Sequence, residues 1–287
     1  MRKATVLLTM ATLLVSLCLA GGAALAADKA QVLKDGADKM EALFCEAEGK
    51  SLMQNVGLFK QAGLTYQPSL VLPTKGIIAC KDARQLGMLM GAYGFDANYA
   101  LLFGKKKEFL AANGLMAKEL AERLKMPAKL KVMPLSADEL KKMAAKPDDP
   151  ANREMYVKNL IANLHSSIQL AQTDAAFAGI MVDSAYGAAI QGLYVACKLG
   201  LSAGAGDKLV ALFNEQIKRL DKTRQVLEVY AGDKELAATL ASPKRQAVLT
   251  PALELLKAKS GKLGKDDLKK LLALVEPERA ALAKKCK

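Results

Sequence analysis

Two apolar segments of helical length carry an unusual share of glycine, alanine and polar side chains. They are MGAYGFDANYALLFG (residues 90–104) and VDSAYGAAIQGLYVACKLG (residues 182–200). Glycine costs roughly 1 kcal/mol relative to alanine in a helix interior, so its repeated use predicts a packing purpose. Small side chains on one helix face let two helix backbones approach closely. We therefore expect these two helices to cross at the centre of the protein.

The rest of the chain also reads as a succession of helices. Alanine and leucine, both good helix formers, supply much of the apolar content, and apolar residues recur at helical spacing. Helices are expected at residues 27–49, 51–63, 74–103, 106–125, 136–145, 153–172, 174–201, 207–231, 233–241 and 265–285, with a further one beginning at Thr250-Pro251. Only KLKVM (residues 129–133) would suit a short strand. The sequence predicts an all-α multi-helix bundle of roughly nine to eleven helices.

A weak internal similarity suggests two related halves. DARQLGMLMGAYG (residues 82–94) aligns with DAAFAGIMVDSAYG (residues 174–187) with one inserted residue. The clearest break in the chain is KPDDP, at residues 146–150. We expect an N-terminal helical module at 27–146 and a C-terminal one at 151–287, related to each other and packed around the long central helices as one compact unit. Chance similarity between two helices rich in alanine and glycine is the alternative.

The first 26 residues have the pattern of a secretory signal peptide. A basic start, MRK, precedes an apolar run, and Ala24 and Ala26 are the small residues expected before a cleavage site. An uncleaved membrane anchor is the alternative, although the apolar core is short for a spanning helix. Leu17 stands before Cys18, where a lipobox needs a small residue. We expect a periplasmic protein without a lipid anchor, and no later segment that is apolar enough to span a bilayer.

The strongly basic charge indicates which partners are possible. The formal net charge is +13 for the whole chain, and +11 without Arg2 and Lys3. A basic exported protein tends to meet anionic lipid head groups and cell-wall polymers, and nucleic acid is not expected in that compartment. The alternative is a lysine surface that is merely solvated.

Four cysteines follow the predicted cleavage site: Cys45, Cys80, Cys197 and Cys286. An even number in an oxidising compartment favours two disulfides. Three pairings are possible. We favour Cys45–Cys80 with Cys197–Cys286, because each pair then joins residues of one half of the chain.

Polar side chains inside the two central helices are the candidate ligand-binding residues. They are Tyr93, Asp96, Tyr99, Asp183, Tyr186, Gln191 and Tyr194. Asp96 lies three residues after Tyr93 and three before Tyr99, so the three side chains share one helix face. The second helix repeats this three-residue spacing twice, between Asp183 and Tyr186 and between Gln191 and Tyr194. Two interpretations stay open: a polar network that fixes the helix register, and a small binding cavity with a polar floor.

Asp96 is the most informative of these residues, because a buried carboxylate is costly unless it is paired or hydrogen-bonded. We expect it to be buried and to accept a hydrogen bond from Tyr186, Tyr194 or Asn98. Four methionines are expected to line the same core: Met88, Met90, Met155 and Met181.

No pattern of an enzyme or a metal site is visible. His165 is the only histidine, and no dense cluster of carboxylates and cysteines accompanies it, so zinc is not expected. The chain has no G-x-S-x-G, Walker A or H-E-x-x-H motif, and no C-x-x-C-H for haem. We expect no catalytic residues and no cofactor.

Four segments resemble a family of functionally uncharacterised, exported, all-helical bacterial envelope proteins, most of them lipid-anchored. The segments are QPSLVLP, MGAYGFDANYALLFG, LAERLKM and GAAIQGLY. The matched positions in the two helices are Asp96, Tyr99, Gly192 and Tyr194. Ala189 stands where the family has tryptophan, and Gln191 where it has glutamate. The resemblance implies an all-helical fold and an envelope location.

Overall fold

The computed structural model describes residues 29–45, 58, 62–79, 81–127, 130, 135–147, 149–204 and 207–284. These residues form ten longer helices, two 3-10 turns (Pro68–Leu70 and Asp207–Leu209) and no strand, which confirms the predicted all-α bundle. Helix α1 is described over residues 29–40 and continues into a wider turn, Glu41–Cys45. The others are α2 (Ala83–Leu102), α3 (Lys106–Leu115, extended by Met116–Leu120 and Ala121–Arg123), α4 (Ala137–Ala145), α5 (Pro150–Ala171), α6 (Ala175–Ala203), α7 (Val210–Tyr230), α8 (Lys234–Thr239), α9 (Pro243–Ala258) and α10 (Lys265–Ala283).

Side-chain caps fix where several helices begin. Ser136 and Glu139 form the predicted capping box of α4. Asp174 caps α6 by accepting from the backbone N–H of Phe177. The same device corrects the predicted start of α2 at residue 74. That helix begins at Ala83, because Asp82 caps it and the preceding residues 74–79 are irregular.

The predicted start of a helix at Thr250-Pro251 is wrong. The helix α9 begins at Pro243, which occupies its first position, and Pro251 lies inside it. A proline suits the first turn, where its missing N–H has no partner to lose. Pro243 takes that position in α9.

Several expectations fall on residues that are not described. These are the signal peptide at 1–26, most of the helix at 51–63, most of the KLKVM stretch, and the cysteines Cys80 and Cys286.

The two central helices cross at backbone contact, as predicted. A Cβ placed on Gly91 of α2 would lie 1.7 Å from the carbonyl oxygen of Ser184 in α6. A Cβ on Gly187 would lie 1.9 Å from the carbonyl oxygen of Met88. No side chain fits at either point, so glycine is required at both. Gly91 and Ser184 each precede the repeated Ala-Tyr-Gly, so the helices meet at corresponding positions of the two similar segments.

The apolar core falls into two clusters on either side of this crossing. One packs α2, α3 and α4 together with Tyr156 and Leu282. The other packs α1 and α6 with the helices from α7 to α10. Among the described helices, α6 is long and apolar enough to cross a membrane, contrary to our expectation. Two-thirds (67%) of its most apolar window is buried inside the protein, as in the core helix of a bundle.

Candidate functional site

One face of α2 holds the proline-containing loop at residues 67–73. Three predicted site residues contact successive points of this loop. The contacts are Gln67 N donating to Tyr99 Oη (3.1 Å), Leu72 N donating to Asp96 Oδ2 (2.8 Å) and Tyr93 Oη donating to the Pro73 carbonyl (2.5 Å). Such a loop leaves backbone groups without regular partners, and these side chains supply them.

Asp96 is buried, as predicted, but its hydrogen-bond donors are not the predicted ones. Gln191 of α6 donates through Nε2 to Asp96 Oδ1 at 2.7 Å and to the Leu70 carbonyl at 2.9 Å. The second donor to Asp96 is the backbone of Leu72. The expected donors were chosen from the long helices, whereas half of this network comes from the loop.

Burial raises the pKa of Asp96 to about 7, although both hydrogen bonds and the nearby Arg279 act to lower it. Arg279 of α10 also donates to the carbonyls of Leu70 and Val71, at 3.3 Å each. Its guanidinium lies 4.7 Å from the ring centre of Tyr194. The carboxyl group of Asp96 therefore lies in a buried network that ties three helices to the loop. Within the described residues, Gln191 Oε1 and Arg279 Nε of this network have no hydrogen-bond partner.

Asp183 belongs to a separate buried network. Arg84 binds both its carboxylate oxygens through Nε, at 3.0 and 2.7 Å, and Arg245 binds it from α9. The Arg245 guanidinium also lies over the ring of Tyr186, 4.9 Å from its centre. The Tyr186 hydroxyl donates to Glu278 at 3.3 Å. These contacts join α6 to α2, α9 and α10.

The predicted site residues thus separate into two networks. Tyr93, Asp96, Tyr99, Gln191 and Tyr194 surround the loop, and Asp183 and Tyr186 join the helices. Of the seven residues, Tyr99 alone also lines the large cavity described next.

A cavity of about 430 Å³ lies on the other side of the crossing, between α2, α5, α6 and α7. Helix α5 covers it with Val157, Leu160, Ile161 and Leu164. Its wall includes the methionines Met40, Met90, Met126, Met143 and Met181. The four methionines that were expected to line the central core all pack against it, and two of them, Met90 and Met181, also line the cavity.

Most hydroxyl groups in the wall already have partners. Tyr156 Oη donates to Asn98 Oδ1 at 3.0 Å, and burial raises the pKa of Tyr156 to about 12. The hydroxyls of Ser167, Ser184 and Thr223 each donate to a backbone carbonyl. These hydroxyl groups therefore have no O–H left to donate to a ligand.

One end of the cavity is different. Gln216 of α7 is 3% exposed, and its Oε1 has no hydrogen-bond partner among the described residues. Arg219, one turn further along α7, places its guanidinium 5.6 Å from the ring centre of Phe95. An unsatisfied buried amide is costly, so its position at a cavity wall is informative.

Sequence reasoning missed α5 and α7 as walls. The signal for α5 was present, because residues 157, 160, 161 and 164 have the spacing of one helical face. Gln216 and Arg219 carry no comparable signal, since a glutamine and an arginine at this spacing also suit a solvated helix face.

Neither expected disulfide is supported by the described residues. Cys45 and Cys197 are buried free thiols, and their expected partners are not among the described residues. Burial, together with the nearby Glu41, raises the pKa of the Cys45 thiol to about 11. His165 pairs with Glu41 at 3.0 Å on the surface. Within the described part of the chain, no group of three or more His, Cys, Asp or Glu side chains could hold a metal.

Comparison of the chain with protein-family models, with curated proteins and with solved structures gives no match.

Proposed function

We propose that this protein binds one lipid-like small molecule in the cavity between α2, α5, α6 and α7, as a non-enzymatic protein of the cell envelope. The observation that carries the proposal is the cavity itself. Its volume of about 430 Å³ lies in the range of small-molecule sites, and apolar side chains make up most of its wall.

The composition of the wall favours a flexible apolar ligand. Methionine side chains are unbranched and polarisable, so they adapt to guests of irregular shape. The half-buried side chains of Ile180, Met181 and Ala185 lie on the cavity face of α6, although the helix is otherwise closely packed. A ligand would cover this apolar surface.

Location in the envelope is part of the proposal and rests on the signal-peptide pattern of residues 1–26. The resemblance to exported helical proteins supports the same location.

A second function has one observation in its favour. The net charge of +11 that remains without Arg2 and Lys3 would attract anionic membranes or cell-wall polymers, with the internal networks serving only to hold the fold. Such binding would be lost at high salt, whereas a molecule enclosed in an apolar cavity would be retained.

Native mass spectrometry separates the two functions. Protein purified without detergent and sprayed from a high-salt volatile buffer is expected to carry a bound molecule of defined mass. Gentle extraction should then release an amphiphile. A protein that appears only at its sequence mass, and that sediments with anionic vesicles at low salt alone, would favour the second function.

A further inference from the structure

Three groups converge at one end of the cavity because Gly192 has no side chain. A Cβ on Gly192 would lie 3.1 Å from Gln216 Oε1, 3.1 Å from the edge of the Phe95 ring and 3.2 Å from Arg219 Nη1. The amide and the guanidinium are thereby brought close together beside an aromatic ring.

The protein leaves both polar groups available. Gln216 Oε1 has no hydrogen-bond partner in the described structure. No carboxylate among the described residues is within ion-pair distance of Arg219, which contacts the face of Phe95 instead. Lys222, one turn further along α7, lies over the ring of Phe44, another residue of the cavity wall. This end therefore combines positive charge with an unused buried amide.

Most of the remaining wall is apolar, and Arg153, which also lines it, donates through Nε to the Pro147 carbonyl at 2.9 Å. The hydroxyls of Tyr156, Ser167, Ser184 and Thr223 are all used within the protein. A ligand that matches the whole cavity has one charged end and one apolar body.

We infer that the ligand is a single-chain amphiphile with a carboxylate head, which binds Arg219 and Gln216 while its tail lies along the methionine-lined wall. This inference rests on the proposed function. The guanidinium donates two parallel hydrogen bonds to a carboxylate. The Gln216 amide can turn to present its NH₂ group to the same head. A carboxylate matches the single charge of Arg219, whereas a phosphate monoester carries about −1.5 to −2 charges.

The test compares three amphiphiles of equal chain length: laurate, dodecanol and dodecyltrimethylammonium. Each displaces the neutral dye Nile red from the full chain, below its micelle concentration. Laurate is expected to bind about ten- to one-hundred-fold more tightly than dodecanol, because its carboxylate forms charge-assisted hydrogen bonds that the alcohol does not form. Dodecyltrimethylammonium is expected to bind most weakly.

Matched variants test whether Arg219 causes the tighter binding of laurate than of dodecanol. Arg219→Met keeps an apolar stem near Phe95 and should lower laurate affinity to that of dodecanol, without changing dodecanol affinity. Arg219→Lys keeps the positive charge and should retain part of the preference for laurate over dodecanol. Lys218→Met removes the same charge from the neighbouring exposed position and should change nothing.

Three results would overturn the inference. Equal affinity of the wild-type protein for laurate and dodecanol would overturn it and leave the proposed function standing, and this comparison needs no variant to fold. Failure of all three amphiphiles to displace the dye would overturn the proposed function as well. Unchanged laurate binding by a folded Arg219→Met protein would exclude Arg219 as the head-group site.

Discussion

Asp96 of α2 and Gln191 of α6 join the two central helices through a hydrogen bond of 2.7 Å, and both also bind the loop at residues 67–73. An aspartate thus stands in the middle of an apolar helix because the backbone of Leu72, which follows the short 3-10 turn Pro68–Leu70 in this loop, needs an acceptor there. The motif around Asp96 anchors backbone, and this role is separate from the cavity.

Asp96→Asn should be tolerated far better than Asp96→Leu. Asparagine can still accept from the Leu72 N–H. Leucine leaves that group and one N–H of the Gln191 amide without an acceptor, while the other N–H still donates to the Leu70 carbonyl. Each unsatisfied group costs about 1–3 kcal/mol. Urea denaturation of the three proteins measures the difference. Equal stability for all three would mean that the Asp96 network contributes nothing.

Asp96 should also make stability depend on pH. Its folded pKa of about 7 lies above the ordinary value of 3.8, so the folded protein favours the neutral carboxyl. The free energy of unfolding contributed by this group therefore falls as pH rises from about 4 to about 7, and is constant above that. Asp96→Asn should remove this slope. Denaturation curves across that pH range check it, and identical slopes for wild type and variant would contradict the pKa.

Alanine substitutions at two glycines one turn apart in α2 should have opposite effects on the stability of the protein. Gly91→Ala drives a methyl group into the Ser184 carbonyl, so it should destabilise by at least about 1–3 kcal/mol. A Cβ on Gly94 meets only Met116 Sδ, at 4.0 Å. Gly94→Ala should therefore stabilise the helix by about 0.5–1 kcal/mol. Thermal melts of the two variants measure this contrast, and equal shifts would argue against the close crossing.

Removal of Asp183 should be among the most destabilising substitutions. The side chain of Arg245 is 7% exposed and would be left without its partner, whereas that of Arg84 is 37% exposed and can turn to water. We expect Asp183→Ala to cost about 3–5 kcal/mol. The double variant Asp183→Leu with Arg245→Leu should lose less stability, because it leaves no unpaired Arg245 charge in the interior. Chemical denaturation of both proteins tests this, and a double variant that is less stable than the single one would contradict it.

The sequence predicted the helices and their central crossing, because glycine, alanine and capping residues act through local geometry. It also identified Asp96 as buried. The donors to Asp96 could not be found, since Leu72 takes part through its backbone, which no side-chain pattern reports. Gln216 and Arg219 were missed for a related reason. Their importance depends on Gly192 of another helix, which lies 24 residues before Gln216.

The central claim is that an amphipathic ligand occupies the cavity beside the crossing, and Gly94→Leu tests it most directly. The new side chain starts from a point with no close neighbour and fills part of the cavity. Titration of wild type and variant with dodecanol, monitored by Nile red displacement, is the measurement, with thermal melts to show that both are folded. We expect the folded variant to lose at least about tenfold in affinity. Equal affinity of the two folded proteins would place the ligand elsewhere and contradict the account.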